Sequence, residues 1–280
     1  MSVDLFVDSS YSVSKVITHK YSTSFSLATS LLEKDKKRAI YAVYGFVRLA
    51  DEIVDSLHGF DKSFLLQKLN DDLHYALKNG MSTNTILVAF ADTVNRYKIS
   101  KEHIQAFMDS MKYDLTKTSY TKATDLDKYI YGSADVVGLI CLKVFCNGDT
   151  GLYKKLETPA QKLGSAFQKV NFLRDLKDDI QQLGRSYFPE ISDCHLNNHS
   201  KRQIEESIKK DFEEAWKGVK QLPGRSKLAV ALAYYYYKGL LKKIIRTSPK
   251  SLLQKRIRIS NFKKYLIIIK VCFMYKTRII

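Results

Sequence analysis

Glycine and proline are scarce in this chain, 12 and 4 residues among 280. A sandwich or barrel of short strands needs tight turns at short intervals, so the scarcity argues against both and for long helices. Cysteine occurs in no useful pattern. The four stand at 141, 146, 194 and 272 with no CxxC pair, which reads as reduced thiols in a cytoplasmic protein and not as a disulfide framework. The C-terminal segment has no long hydrophobic run: the longest there, YLIIIKVCFM, is ten residues with Lys270 inside it, too short to cross a bilayer. The N-terminal MSVDLFVDSSYSVSKV has no charged region followed by an apolar one, so no secretory signal is expected. Acidic residues are absent from Gln221 to Ile280, where 15 Lys and Arg supply +15 of the net charge of +17. Such a segment attracts an anion, whether nucleic acid, membrane headgroups or a phosphorylated ligand, and charge alone does not choose among them.

What is present is helical periodicity. Hydrophobic residues make up 45% of the chain, a globular composition able to build a sizeable core. Leu65, Leu66, Leu69, Leu73, Ala76 and Leu77 follow i, i+3, i+4 steps and stop at Gly80, a C-cap signal. Ser100 is placed as the N-cap of a further helix. LDKYIYGSADVVGLICLKVFC is long and apolar, with Gly132, Ser133, Ala134 and Gly138 small enough for close helix approach. A clear helix starts at Pro159, with the proline in its first turn. GRSYFPEISDCHLNNHS reads as a loop; its Asp193, Cys194, His195 and His199 lack the paired spacing of a zinc site. There is no repeat, linker or strand alternation. The expectation is an all-α, single-domain bundle over 1–280 that includes the basic segment 221–280.

Within AIYAVYGFVRLADEIVDSL, Asp51, Glu52 and Asp55 interrupt a face ready for burial. Buried carboxylates are costly unless paired or holding a cation. Tyr44, Arg48, Asp51 and Asp55 are spaced 4, 3 and 4 apart and form one stripe. The helix from Pro159 repeats the device: Gly164, Gln168, Asn171, Asp175 and Asp179 form a line, while Leu163, Phe167, Val170 and Leu173 face the core. One DxxxD on a helix is usually a solvated or ion-paired face. Two, each in an apolar helix and each beside an arginine, weaken that reading. If the stripes oppose each other, four carboxylates converge and resist joint ionisation unless cations intervene. Mg²⁺ suits all-oxygen ligation completed by water and phosphate oxygens, so the pattern points to a diphosphate clamp, with Arg48, Arg174 and Arg185 on the remaining oxygens.

Here the chain resembles the squalene/phytoene synthase family, the head-to-head isoprenoid synthases, over nearly its whole length. The matching stretches are YSTSFSLATSLLEKDKKRAIYAVYGFVRLADEIVD, YIYGSADVVGLICL, FQKVNFLRDLKDDIQQLGRSYFP and LQKRIRISNFKK, and the block NFLRDLKDD followed by GRSYFP is the most specific. The overall pattern is nearest to bacterial phytoene-type members. The resemblance implies a helical prenyltransferase fold with a central cavity, where two allylic diphosphates condense through C1 by way of a cyclopropyl-carbinyl diphosphate. It implies Mg²⁺, with Mn²⁺ as a substitute, and no NADPH for the phytoene-type reaction. Carried over, Asp51 and Asp55 are the first metal-binding pair and Asp175 and Asp179 the second, with Asn171 beside it as a further ligand and Gln168 as a polar pocket position. Arg48, Arg174, Arg185, Tyr187 and Arg256 match diphosphate-binding positions; Ser22, Ser24 and Phe25 match an S-x-S-F pocket. Tyr131 matches a catalytic cavity tyrosine, and Tyr237 matches within YYYY with a register open by one residue. Two positions depart from the family pattern: Tyr21 stands where many relatives have His, and Glu52 replaces Asp in DDxxD.

Carbocation chemistry needs a leaving group stabilised by charge, a dry apolar pocket and aromatic faces that stabilise without trapping. Phe25, Tyr44, Tyr131 and Tyr237 are candidates, although aromatics at helical spacing serve equally as core. Phe25, Val136, Val137 and Leu142 are candidates for setting cavity depth. A C20 substrate, geranylgeranyl diphosphate, is favoured because the pattern is phytoene-type and no dinucleotide fingerprint is present; the alternative is farnesyl diphosphate. Two non-enzymatic readings remain: a basic nucleic-acid-binding protein, which lacks any recognised binding motif, and an assembly-type family member, which would be expected to have lost its aspartates. The basic segment is read as peripheral contact with an anionic membrane on its inner face, against the plainer reading of a Lys-rich surface.

Overall fold

The amphipathic spacing becomes helix throughout a computed structural model that describes residues 2–191 and 196–280. The elements are α1 (Val3–Tyr21), α2 (Thr23–Ser30), α3 (Lys34–Asp55), α4 (Lys62–Asn79), α5 (Thr85–Tyr97), α6 (Lys101–Thr116), α7 (Ala123–Ile130), a π-helical turn (Tyr131–Asp135), α8 (Val136–Cys146), α9 (Thr150–Gln181), α10 (Asn198–Val219), α11 (Gly224–Ile245), α12 (Pro249–Leu252) and α13 (Asn261–Lys276). Among the described residues there is no strand, only one bridge between Ser119 and Ser186, so the fold is the expected all-α bundle. Asp193, Cys194 and His195 lie outside the described residues.

Short polar side chains set the helix starts. Ser22, Asp61, Asn84, Asp149 and Ser260 each accept a backbone N–H there. Gly80 closes α4 at φ 73°, as its position implied. Ser100 precedes α6 without capping it, because its hydroxyl donates to Glu102 instead. The helix expected from Pro159 is longer than the sequence suggested: α9 has 32 residues and carries Pro159 in its interior. Asp149, which accepts from Leu152 N at 2.8 Å, supplies the true start. The proline costs α9 one backbone bond, and Gly218 of α10 leaves room for its ring, since a Cβ there would lie 2.3 Å from Pro159 Cβ.

The apolar stretch Ala123–Cys146 is long and apolar enough to cross a membrane by composition, yet 56% of its apolar 18-residue window is buried inside the fold. Its small residues do what their size suggested. A Cβ on Gly138 would stand 2.7 Å from Ala160 O, and one on Gly164 would stand 2.6 Å from Ala134 O. α9 therefore lies backbone-to-backbone against the π turn and α8. One core cluster gathers around Phe46, Phe90 and Phe107, with Phe46 stacked on Phe90 at 4.1 Å. A second joins Tyr129, Phe172, Tyr187 and Tyr234. Cys141, Cys146 and Cys272 are free thiols.

Candidate active site

Along α3 the cavity wall changes from Ile40, Val43, Tyr44 and Val47 to Arg48, Asp51 and Asp55. Along α9 it changes from Leu156, Ala160 and Leu163 to Gln168, Asn171, Arg174, Asp175 and Asp179. Both walls thus turn polar toward their helix C-termini, and both polar ends meet. Arg185 Nη1 donates to Asp55 Oδ1 at 2.7 Å, while the Arg185 backbone N–H donates to Asp179 O at 2.8 Å. Between the walls lies a cavity of about 1100 Å³, above the roughly 300–1,000 Å³ of ordinary small-molecule sites.

The electrostatics of the polar end are adverse. A helix C-terminus carries partial negative charge, and neither α3 nor α9 has a basic residue in its last turn. Four carboxylates are added there. Burial, then the charge of Asp55, push Asp51 up to about 6, although its oxygens stay open to the cavity. Burial, then Asp175 and Asp55, push Asp179 up to about 8. Arginines relieve part of this. Arg48 donates to Asp51 at 2.5 Å and to Glu52; Arg174 Nε donates to Asp175 at 3.0 Å; Arg256 Nε lies 2.7 Å from Asp175 Oδ1. Arg48 Nε is buried with no acceptor. Among the described residues no three His, Cys, Asp or Glu side chains form a ready metal sphere. Each wall instead gives a pair of hard oxygen ligands, the partial set that Mg²⁺ completes with water and phosphate oxygens.

The other expected positions are brought together with one exception. Ser22, Ser24, Phe25, Tyr187, Tyr237 and Arg256 all line the cavity. Phe25 stacks on Tyr44 at 4.7 Å and Tyr237 on Phe167 at 3.9 Å. Within YYYY both Tyr236 and Tyr237 line the cavity, and the Tyr237 hydroxyl donates to Asn171 Oδ1 at 3.2 Å. Gln168 reaches Ser133 at 3.5 Å. Of the depth candidates, Phe25, Val137 and Leu142 face the cavity, while Val136 is buried behind it. The exception is Tyr131, which is 40% exposed and does not line the cavity. The π turn that begins at Tyr131 breaks the helical phase, and Tyr129 faces inward instead. The two departures also find places: Arg48 stacks over the Tyr21 ring at 4.5 Å, and Glu52 holds Arg48 from outside the cavity.

Asp114 is a cavity residue that the sequence reading missed. It is buried, accepts from Tyr129 OH at 2.8 and 3.0 Å, and burial raises it to about 7 against the nearby Arg185. Phe107, Met111 and Asp114, spaced 4 and 3 apart, repeat the signal of an acid in an apolar stripe. That spacing could have found it.

The sequence profile of Squalene/phytoene synthase matches residues 18–192, a span holding both carboxylate pairs. Phytoene synthase 2 of Solanum lycopersicum is 29% identical over 246 residues, covering 80% of this chain and 78% of that protein. The 15-cis-phytoene synthase of Synechocystis is 27% identical over 288 residues, covering 93% and 83%. The chain spans only 60% of a third relative, phytoene synthase 1 of Zea mays. A dehydrosqualene synthase crystal structure has the same fold at TM-score 0.81, 22% identity and 97% and 98% coverage. A squalene synthase from Alicyclobacillus acidocaldarius follows at TM-score 0.74, 20% identity and 88% and 96% coverage. With a carboxylate pair on each wall at the polar end of a large helical cavity and a profile match over most of its length, this chain belongs to the squalene/phytoene synthase family.

Proposed function

We propose that this prenyltransferase-type enzyme joins two geranylgeranyl diphosphates through their C1 atoms to give phytoene, by way of prephytoene diphosphate. The observation that carries the reading is the pair of opposed carboxylate stripes at the polar end of one large apolar cavity. The phytoene synthase relatives support the C20 substrate. Asp51 and Asp55 on one wall, and Asn171, Asp175 and Asp179 on the other, would hold Mg²⁺ or Mn²⁺. When bound, the cation supplies Lewis-acid charge for the departing diphosphate.

The chain's own groups do the rest. Arg48, Arg174, Arg185 and Arg256 exchange carboxylate partners for diphosphate oxygens as the first C1–O bond breaks. The apolar walls exclude water from the allylic cation, and the faces of Phe25, Tyr44 and Tyr237 stabilise it without capture. The C2=C3 bond of the second substrate attacks C1, and proton loss closes the cyclopropane. Breaking the second C1–O bond lets that ring rearrange, and a last proton loss gives the hydrocarbon without a reductant. The departing diphosphate is the acceptor for these protons.

The test is a product assay with Mg²⁺, offering geranylgeranyl and farnesyl diphosphate separately, with an Asp51→Ala, Asp175→Ala double variant as control. Phytoene from the C20 substrate, absent in the variant, is the expected result. A C30 hydrocarbon from farnesyl diphosphate would keep the mechanism and overturn the substrate. Turnover of neither would overturn both.

A pH effect follows from the same carboxylates. Asp51 and Asp179 titrate near 6 and 8 when folded, against about 4 in an unfolded chain. Between those values the metal-free folded protein holds protons that the unfolded chain has released, so its stability falls as pH rises through the window. Mg²⁺ binds the ionised form. Its thermal stabilisation should therefore be larger at about pH 8 than at about pH 5, by several degrees in a melting experiment. Equal shifts at the two pH values would contradict the assignment.

A further inference from the structure

α13 carries apolar residues on two opposite faces. One face packs on α11: Val271 is fully buried there, flanked by Ile267, Ile268 and Tyr275. Opposite it, Phe262, Tyr265, Leu266, Ile269 and Phe273 form a stripe at steps of 3, 1, 3 and 4. This stripe is unpartnered, with Phe262 72%, Ile269 65% and Phe273 62% exposed. An apolar run of that size on a free helix face marks an interaction surface. The helix has 16 residues, about 24 Å at 1.5 Å per residue, so it lies along an apolar layer and does not cross one.

Its surroundings say what the layer is. Lys263, Lys270 and Lys276 flank or interrupt the stripe, and no acidic residue occurs anywhere in 221–280. A second copy of this chain docked stripe to stripe would set these lysines against one another without a counter-charge. An anionic lipid surface supplies the counter-charge and the apolar depth together. Position adds a reason. Asn261 and Lys264 line the cavity, and Lys264 Nζ donates to Thr23 Oγ1 at 3.3 Å, so α13 and α2 together frame its edge. Leu27, one turn after Thr23 on α2, is itself exposed.

We propose that the outer face of α13 is a lipid-docking face, seated in the headgroup layer of an anionic membrane so that the cavity edge framed by α13 and α2 opens onto the acyl chains. The hydrocarbon product proposed above supplies the purpose of this placement, and the test separates the two readings.

The full chain should be co-sedimented with vesicles of phosphatidylcholine alone and of phosphatidylcholine mixed with phosphatidylglycerol, alongside turnover assayed in detergent. Wild-type protein is expected to bind the mixed vesicles at least about tenfold more tightly than the neutral ones. Ile269→Ser with Phe273→Ser should weaken that binding by at least about tenfold. Lys263→Glu with Lys270→Glu should do the same through charge, by at least about thirtyfold. All of these positions are exposed and outside the cavity, so turnover in detergent should be unchanged in both variants. Wild-type protein that stays in the supernatant, or variants that bind as well as wild type, would overturn the docking face while leaving the enzymatic reading intact. A dimer in analytical ultracentrifugation that the Ile269→Ser, Phe273→Ser variant abolishes, without vesicle binding, would assign the stripe to self-association and overturn it too. No turnover in detergent with vesicle binding preserved would remove the enzymatic reading and leave the face.

Discussion

Asp179→Asn should lower kcat by about three orders of magnitude and raise the melting temperature of the metal-free protein at about pH 8. The two effects have one cause. Among the described residues the Asp179 side chain has no hydrogen-bond donor, and burial with the charges of Asp175 and Asp55 pushes it up to about 8. The fold gains nothing from that charge; it tolerates it. Asparagine keeps the shape and removes the repulsion, so stability should rise, at about 2–4 °C per kcal/mol relieved in a chain of this size. The same change removes a hard ligand from the wall of α9, and the leaving group loses charge stabilisation where it is needed. Turnover of geranylgeranyl diphosphate and a melting curve on the same preparation check both halves. A variant that is less stable, or one that keeps most of its activity, would show that Asp179 serves the fold and not the reaction.

Gly164→Val should have the largest effect on folding. A Cβ at this position meets Ala134 O at 2.6 Å, Ala134 C at 2.9 Å and Asp135 Cα at 3.0 Å, all backbone atoms that cannot swing away. α9 must then move off the π turn, which carries Ser133 and Ala134 of the cavity wall. Overpacking of this kind costs about 1–3 kcal/mol and occasionally more, and here a second γ-branch adds to it. Gly164→Ala already contains the clash, offset by only about 0.5–1 kcal/mol of helix propensity. Gly239→Ala is the control: its Cβ would find Ile267 Cδ1 at 3.4 Å and Ile259 Cδ1 at 3.5 Å, ordinary contact with the flexible ends of side chains. Urea denaturation should therefore order the variants Gly239→Ala, Gly164→Ala, Gly164→Val from most to least stable. A Gly164→Val protein as stable as wild type would mean that α9 is not packed backbone to backbone against the π turn.

Several features were legible in the sequence because they are local. The helices, the cap at Gly80 and the alignment of Asp51 with Asp55 and of Asp175 with Asp179 depend only on residues three or four apart. Side chains at that spacing share a face whatever the rest of the chain does. The size of Gly138 likewise announced a close approach before its partner was known. The squalene/phytoene synthase resemblance was carried by such local blocks as NFLRDLKDD, which lies within the family match.

What the tertiary structure alone decided is what each face meets. Tyr131 was placed in the cavity by resemblance, yet it begins the π turn and is exposed outside the cavity, while Tyr129 lines it. Pro159 read as a helix start because proline favours one, but Asp149 caps α9 earlier and Gly218 makes room for the ring. Arg48, Arg174 and Arg185 were placed near phosphate by their position beside the stripes and Arg256 by resemblance; only the fold shows them closed on Asp51, Asp55 and Asp175. α13 is the plainest case. In sequence its apolar run could be judged only too short to cross a bilayer; the fold shows one face packed on α11 and the opposite one bare. Periodicity assigns residues to faces; whether a face finds protein, ligand, lipid or water depends on contacts between residues far apart in the chain, and no local pattern encodes those.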